Sequence, residues 1–528
     1  MAGASVVALA ALISRVLGLL RDRVFAASFG AGETLDAFFA AFRLPDLIYQ
    51  FLITGALTAV FIPAFARELH KRGKIARPGN PQAFAFAHSI FSVVMVILTA
   101  LATLFALGAP WLMPLIAPGF ASEQQEIVIR LTRIMLLQPI LLGVSSILSG
   151  VLNSFRRFVA YAMAPVIYNL GIILGALWFV PRWGEIGLAW GVVLGALGHL
   201  LVQAPSAWKL GFRFRFLGFA LPPAGRELLP LVLPRIVGVA AQQVNALVVT
   251  FLGSSLAAGT IAVYQFAENL QAFPVGIFGA SLAVAAFPLM AEASARAQAV
   301  SFRRMVANTL RIILFFIIPV TVFIILLRAQ IVRVVLGAGR FSWEDTKLTL
   351  ATLGVLSLAI FAHALIPLLS RAFFALRDTR TPVVASILAI VTNVTLAALW
   401  AARWGVMGLA AAYVVSSTLQ VVILLAALHH RLGGLEDETV LTDVFRIVAA
   451  ALLAGAVVQL IKIGVGSMVG RLDTFWEVAL QLFSALLGGS AVFLAMAGFL
   501  RISTVRELPR VIRPILRPFI QESSPGEV

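Results

Sequence analysis

The chain contains no cysteine, which excludes disulfides, thiolate metal sites and cysteine nucleophiles. Charge is scarce: Asp, Glu, Lys and Arg make up 12% of 528 residues, while 61% are hydrophobic. The mean hydropathy is +1.00. That balance excludes an ordinary soluble domain and fits an integral membrane protein. Acidic residues are the scarcer sign, 23 against 40 basic, giving a net charge of +17. No basic stretch interleaves aromatics in a polar setting, so nucleic acid is not the expected partner. Basic loops meeting anionic lipid explain the surplus. Also missing are a phosphate-cradling glycine loop ending in Lys-Ser/Thr, a His-Glu-x-x-His pair and a nucleophile elbow. An enzyme site and an ATP-driven pump are therefore not expected, nor is a cofactor. The first apolar segment has neither a basic leader nor a small-residue cleavage site, and reads as a retained helix.

What is present is a succession of apolar runs long enough to cross a bilayer. They lie near residues 5–28, 34–66, 82–107, 127–152, 158–180, 186–208, 226–252, 258–291, 305–328, 346–375, 380–402, 406–430, 441–466 and 474–501. The expectation is about fourteen transmembrane helices. Internal prolines (Pro45, Pro63, Pro274, Pro288, Pro319 and Pro367) mark kinks, tolerated where a helix faces protein or a wet cavity. Basic residues gather in alternate connections: Arg67, Lys71, Arg72, Lys74 and Arg77; Arg156 and Arg157; Lys209, Arg213 and Arg215; Arg296, Arg303 and Arg304; Arg377 and Arg380. The tail adds Arg501, Arg506, Arg510, Arg513 and Arg517. The positive-inside rule places these and both termini in the cytoplasm.

The chain repeats itself. Arg182-Trp183-Gly184-Glu185-Ile186-Gly187-Leu188-Ala189 returns as Arg403-Trp404-Gly405-Val406-Met407-Gly408-Leu409-Ala410. Leu177-Trp178 returns as Leu399-Trp400, and Gly55-Ala56 with Pro63 returns as Gly279-Ala280 with Pro288. An even number of helices per repeat makes the halves parallel. The expected organisation is an N-lobe at 1–210 and a C-lobe at 226–432, each of six helices. Two extra helices follow at 441–501, then a basic cytoplasmic tail at 502–528. The extra helices fall outside the repeat, so the symmetric core is not expected to need them for its own geometry. Within 441–466, Lys462 near the outer end and Arg446 near the inner end are expected to snorkel.

Charges inside apolar runs are the functional signal, because each costs at least a few kcal/mol at bilayer depth. The first helix holds Arg15, Arg21, Asp22 and Arg23, and the second holds Asp36 and Arg43. Arg15 and Asp22 are seven apart and share a face; Arg15 and Arg21 diverge by roughly 120° but can border one cavity. The surplus of arginine favours an anionic cargo, since guanidinium pairs bidentately with phosphate or carboxylate. The alternative is an Arg–Asp network that only holds helices together. Asp36 is expected to partner an arginine or to serve structure, and Arg235 and Glu268 to pair across the second half. Arg377 and Asp378 read as a solvated helix end, and His363 as a packed histidine. Asn245, Thr392 and Asn393 offer oxygens but no central carboxylate, which argues against a tight sodium site.

Ser14-Arg15-Val16-Leu17-Gly18 with Arg21-Asp22, Phe29-Gly30-Ala31-Gly32, Asp36-Ala37-Phe38-Phe39 and Phe42-Arg43-Leu44-Pro45 together resemble the MurJ (MviN) lipid II flippases. So do Leu152-Asn153 with Pro165 and Asn169, Phe273-Pro274 with Gly279, and Phe373-Phe374-Ala375 with Asp378-Thr379-Arg380-Thr381-Pro382. The resemblance covers essentially the whole chain. It implies the MOP exporter fold, an all-α membrane protein with two pseudo-symmetric six-helix lobes around a cationic cavity and two C-terminal helices forming a lipid-tail groove. It implies a cargo of undecaprenyl-diphosphate-linked glycopeptide, moved from the inner to the outer leaflet of the bacterial inner membrane. Arg15, Arg21, Asp22 and Asp36 match the family's functional first- and second-helix residues; Arg43, Arg235, Glu268 and Asn269 complete the expected substrate-binding set. The chain departs from the family pattern with Tyr49 and Asn269 in place of arginines and Thr54 in place of a glutamate, and Arg235 is expected to compensate. Membrane potential or a monovalent ion is the expected driving force, and a monomer the expected state. Competing readings are a flippase for another lipid-linked oligosaccharide, a MATE-like drug or cation antiporter, which predicts cavity carboxylates, and a non-transporting scaffold.

Overall fold

A computed structural model describes residues 2–70, 81–216, 232–470 and 472–505. Lys71, Arg72, Lys74, Arg77 and most of the basic tail lie outside the described residues, as does the side chain of Arg235. The described chain is all-helical. Among the described residues, eleven helices are long and apolar enough to cross a membrane, or twelve if one bent pair counts as a span. Each of the fourteen apolar runs corresponds to helix, but fourteen spans are not established.

Contacts divide the chain into two units, Met1–Ala262 and Val263–Val528. The seventh apolar helix thus groups with the first six, whereas the repeat alone put the division between 210 and 226. In unit 1 the elements are α1 (Ala2–Phe29), α2 (Glu33–Ala41), α3 (Arg43–Ile48), α4 (Thr58–His70), α5 (Pro81–Ile116), α6 (Ser122–Met135), α7 (Leu137–Ser154), α8 (Phe158–Leu174), α9 (Val180–Trp183), α10 (Ile186–Leu201), α11 (Ala204–Lys209) and α12 (Val232–Gly253). The core is aromatic. Phe61 stacks on Phe65 at 5.4 Å and on Phe86 at 6.1 Å, and Phe84 meets Phe212 edge-on at 5.8 Å. Helices α8 and α10 touch backbone to backbone. A Cβ on Gly171 would lie 2.3 Å from Gly195 Cα, and one on Gly175 would lie 2.3 Å from Gly191 Cα. The four-residue spacing of these glycines is the small-residue seam by which helices associate in lipid.

Unit 2 holds α13 (Thr260–Pro274, beginning at the boundary), α14 (Ser281–Ala295), α15 (Ala299–Val335), α16 (Trp343–Ser357), α17 (Ile360–Ala375), α18 (Arg380–Trp404), α19 (Val406–Leu432), α20 (Asp437–Val469) and α21 (Phe475–Phe499). The sequence repeat is a repeat of backbone geometry. The second apolar run loosens into π-helix at Tyr49–Leu57, and the eighth does so at Val275–Ala280. Gly184 and Gly405 both turn with positive φ, +61° and +57°. Arg156 and Arg377 likewise take φ of 57° and 58°, each closing a helix by the same pair of main-chain bonds.

The last two helices are bound into the second unit more tightly than their place outside the repeat suggests. Phe315, Phe323 and Leu327 of α15 share a core with Ala451, Ala454 and Val458 of α20 and Leu482, Ala485 and Phe493 of α21. Within it a buried charge on α15 meets its counter-charge on α20: Arg311 Nη1 lies 3.3 Å from Asp443 Oδ2. Arg311 also donates to Ser503 Oγ at 3.2 Å and lies 3.7 Å from Glu436. Ser503 donates to Asp443 in turn. Lys462 departs from expectation. Its Nζ does not snorkel but donates across to Leu326 O of α15 at 2.9 Å.

Candidate functional site

Helix α1 is helical throughout despite four charges, because Ala, Val and Leu dominate it and its mid-helix glycine, Gly18, meets no close neighbour. The charges separate into two kinds. Arg21 is held: its Nε and Nη2 donate to Asp22 Oδ1 at 3.1 and 2.9 Å. Asp22 is 2% exposed. Arg21 Nη1 reaches Asn169 Oδ1 of α8 at 3.5 Å, and Asn169 Nδ2 returns to Ser14 Oγ at 3.2 Å and Pro165 O at 3.1 Å. The guanidinium carbon also sits 5.9 Å from the Phe25 ring centroid, a cation–π distance. Arg21 and Asp22 are therefore a neutralised pair anchored to α8.

Arg15 is the other kind. It is exposed, and among the described residues it has neither an ion pair nor a hydrogen bond. Sharing a helix face with Asp22 does not bring them together, because Asp22 turns to its neighbour Arg21 in the α8 contact. Arg15 is thus the first-helix cation left available for an external anion.

Among the described residues, Asp36 partners no arginine. It is 2% exposed, and its carboxylate accepts the main-chain N–H of Gly259 at 2.7 Å and of Ala262 at 2.8 Å. The first turn of α13 leaves such N–H groups without intrahelical acceptors, and an anion there also meets the positive end of the helix dipole. The approach needs glycine at 259: φ is +87°, and a Cβ would fall 2.0 Å from Ala31 O. Sequence reasoning missed this partner because main-chain donors carry no residue signature.

Arg43, at the start of α3, donates from Nε to Thr250 Oγ1 of α12 at 2.7 Å. Asp46, one turn on, lies within electrostatic reach of Arg43 and bonds the side chains of Gln50 and Gln243. Asp46, Gln243 and Thr250 were not singled out from sequence. A carboxylate directly after the Phe42–Pro45 turn, inside a charge-poor apolar run, was the signal that could have found the first of them.

In the second unit, Gln265 Nε2 donates to Glu268 Oε2 at 3.4 Å and to Asn269 Oδ1 at 3.1 Å. Glu268 acts electrostatically on Tyr413, whose ring lies 4.7 Å from that of His363. The expected Arg235–Glu268 pairing falls on a side chain outside the described residues. Asp378 is more than a solvated end. It accepts from Arg380 N (2.9 Å), Thr381 N (3.1 Å), Thr381 Oγ1 (2.8 Å) and Arg431 Nη1 (2.7 Å). Slight burial works against ionisation, but these hydrogen bonds and the Arg431 charge outweigh it and hold the carboxyl below its ordinary range.

The site as a whole offers a guanidinium unpaired among the described residues, a neutralised Arg–Asp pair on the same helix, and polar side chains at the α3–α12 contact. Such groups can bind an anion by charge and hydrogen bonds, and none is arranged as nucleophile with base. Among the described residues no three His, Asp or Glu side chains gather as a metal site.

Comparison with known proteins gives the same direction. Solved structures similar in fold include one described as lipid II flippase MurJ in an inward closed conformation. It has a TM-score of 0.75 and 23% identity, covering 94% of this chain and 98% of that one. Another is an inward-facing MATE family multidrug resistance transporter of the MOP superfamily, with a TM-score of 0.67 and 16% identity, covering 80% and 96%. Among sequence relatives, the probable lipid II flippase MurJ of Vibrio cholerae is 31% identical over 473 residues, 88% of this chain and 87% of that protein. That of Rhizobium meliloti is 30% identical over 457 residues, covering 85% and 84%. The profile of the family described as lipid II flippase MurJ matches residues 25–471. With repeat, fold, helix charges and profile in agreement across most of its length, the chain belongs to the lipid II flippase MurJ family.

Proposed function

We propose that this chain flips lipid II, the undecaprenyl-diphosphate-linked peptidoglycan precursor, from the inner to the outer leaflet of the cytoplasmic membrane by alternating access. The observation that carries the reading is the match to the lipid II flippase family over residues 25–471. The residue-level support is Arg15, a cation inside the first apolar helix without a carboxylate partner among the described residues. A diphosphate offers the geometry its planar fork recognises. Arg21 and Asp22 on the same helix, with Arg43, Arg235, Glu268 and Asn269, complete the proposed substrate-binding set. Asp36 serves this set by holding the start of α13, not by touching cargo. The basic loops support a cytoplasmic position for both termini, and the protein works as a monomer without a cofactor. Membrane potential or a monovalent ion drives the cycle.

The test is rescue of cells depleted of their own lipid II flippase, with membrane levels measured in parallel. The wild-type gene is expected to rescue, Arg15→Ala to fail at normal abundance, and Arg15→Lys to rescue partly, since lysine keeps the charge but loses the fork. Full rescue by Arg15→Ala refutes the assigned role of Arg15. Failure of the wild type at normal abundance refutes the function.

A further inference from the structure

Two polar clusters sit along the seam between α15 and the final helices. Arg311 and Arg328 are seventeen residues apart on α15, about 26 Å along a helix, and Asp443 and Lys462 are nineteen apart on α20, about 29 Å. Those lengths approach the ~30 Å of a bilayer's hydrocarbon core. The Arg311–Asp443 cluster therefore marks one boundary of the apolar layer, and Arg328 with Lys462 marks the other.

The first cluster balances its charge and the second does not. Arg328 Nη1 donates to Ile325 O at 2.6 Å, and Lys462 Nζ donates to the next carbonyl, Leu326 O, at 2.9 Å. Both are half-buried, and the Arg328 charge bears directly on Lys462. Neither forms an ion pair among the described residues. Arg333, a turn further out, faces Glu477 and so has its counter-charge.

The cationic pair is built into the fold. Gln481 of α21 accepts from Gln330 at 2.8 Å and donates to Lys462 O at 2.6 Å, fixing the backbone that carries the lysine. Gly354 of α16 leaves room for the Arg328 stem, since a Cβ there would lie 3.2 Å from Arg328 Cδ. Two like charges held together at partial burial repel one another unless an anion sits between them. At the edge of a bilayer, the anion at that depth is a lipid phosphate.

We propose that Arg328 and Lys462 form a binding site for the phosphate of a membrane lipid where α15, α16 and α20 meet. The ligand class is a lipid-borne phosphate or diphosphate. Two sources share that chemistry, a resident anionic phospholipid and a polyprenyl diphosphate. The outward position of the site rests on the orientation proposed above; phosphate binding does not.

The test is native mass spectrometry of the purified full-length protein in detergent, titrated with phosphatidylglycerol and, separately, with undecaprenyl diphosphate. At about 1 kcal/mol per cation near a membrane surface, each of Arg328→Gln and Lys462→Gln should weaken binding of at least one probe about fivefold, and the double variant about 25-fold. Arg328→Lys should stay within about twofold of wild type, and unchanged thermal unfolding of each variant shows that the fold is kept. Weakening with both probes assigns the site to lipid phosphate in general. Weakening with undecaprenyl diphosphate alone assigns it to the diphosphate lipid, and with phosphatidylglycerol alone to a resident phospholipid. Unchanged affinity for both probes in the folded double variant overturns the proposal. Because the readout is binding, it stands apart from whether the protein flips lipid II in cells.

Discussion

Arg311→Ala removes the positive member of a buried cluster and leaves Asp443, 2% exposed, with its charge uncompensated. Breaking a buried pair from one side costs about 3–5 kcal/mol. Here the cost falls at the lower end, about 3 kcal/mol, because Ser503 still donates to Asp443. Replacing both partners by apolar residues of similar size, Arg311→Met with Asp443→Leu, should be close to neutral, since no orphaned charge remains. The expected pattern is therefore one strongly destabilised single variant and a double variant near wild type. Thermal unfolding in detergent reads the first difference. The absence of native cysteine allows a second readout: one cysteine placed on α15 and one on α20 should crosslink readily in wild type and the double variant, and poorly in Arg311→Ala. If Arg311→Ala unfolds and crosslinks like wild type, the cluster does not hold α20 against α15, and the reasoning is refuted.

Two further outcomes follow from groups whose partners are now known. Asp36→Ala leaves the N–H groups of Gly259 and Ala262 without their acceptor, at about 1–3 kcal/mol each; amide hydrogen exchange over 257–262 should accelerate, Asp36→Asn should be milder, and unchanged exchange in Asp36→Ala would contradict the assignment. The Asp378 carboxyl is depressed in the folded chain, so its stabilisation is full above the ordinary carboxylate range near 4 and is lost as pH falls through the lower folded value. The difference in unfolding temperature between wild type and Asp378→Asn should be constant near neutrality and shrink below about pH 4; a constant difference down to pH 2 would refute it.

How much of this was legible in the sequence depends on what kind of contact is asked about. Apolar run length is local, so each run found in the sequence corresponds to helix over its described residues. The repeat was legible to the level of backbone shape: Gly184 and Gly405 share a positive φ, and a Cβ on Gly187 or Gly408 would strike the carbonyl region eight residues upstream, at Phe179 and Trp400 respectively. Partners were not legible, because they are set by tertiary contact. Asp36 binds main-chain donors more than two hundred residues away, and Arg43 binds a threonine hydroxyl at similar separation.

The rule that drew attention to Arg15, a charge kept inside an apolar run, applies equally to Arg311 and Asp443, which sequence reasoning passed over, and to Lys462, which it read as snorkelling; the seam they build was missed. That seam changes the standing of the last two helices. Outside the repeat, they looked dispensable to the geometry of the symmetric core. Yet α15 belongs to that core and buries Arg311, whose counter-charge is supplied by α20. A chain ending near Leu432 would strand that arginine and uncover Phe315, Phe323 and Leu327 together. The appended pair therefore completes α15 electrostatically as well as covering its apolar face, and truncation disturbs the lobe itself before it tests any groove for a lipid tail.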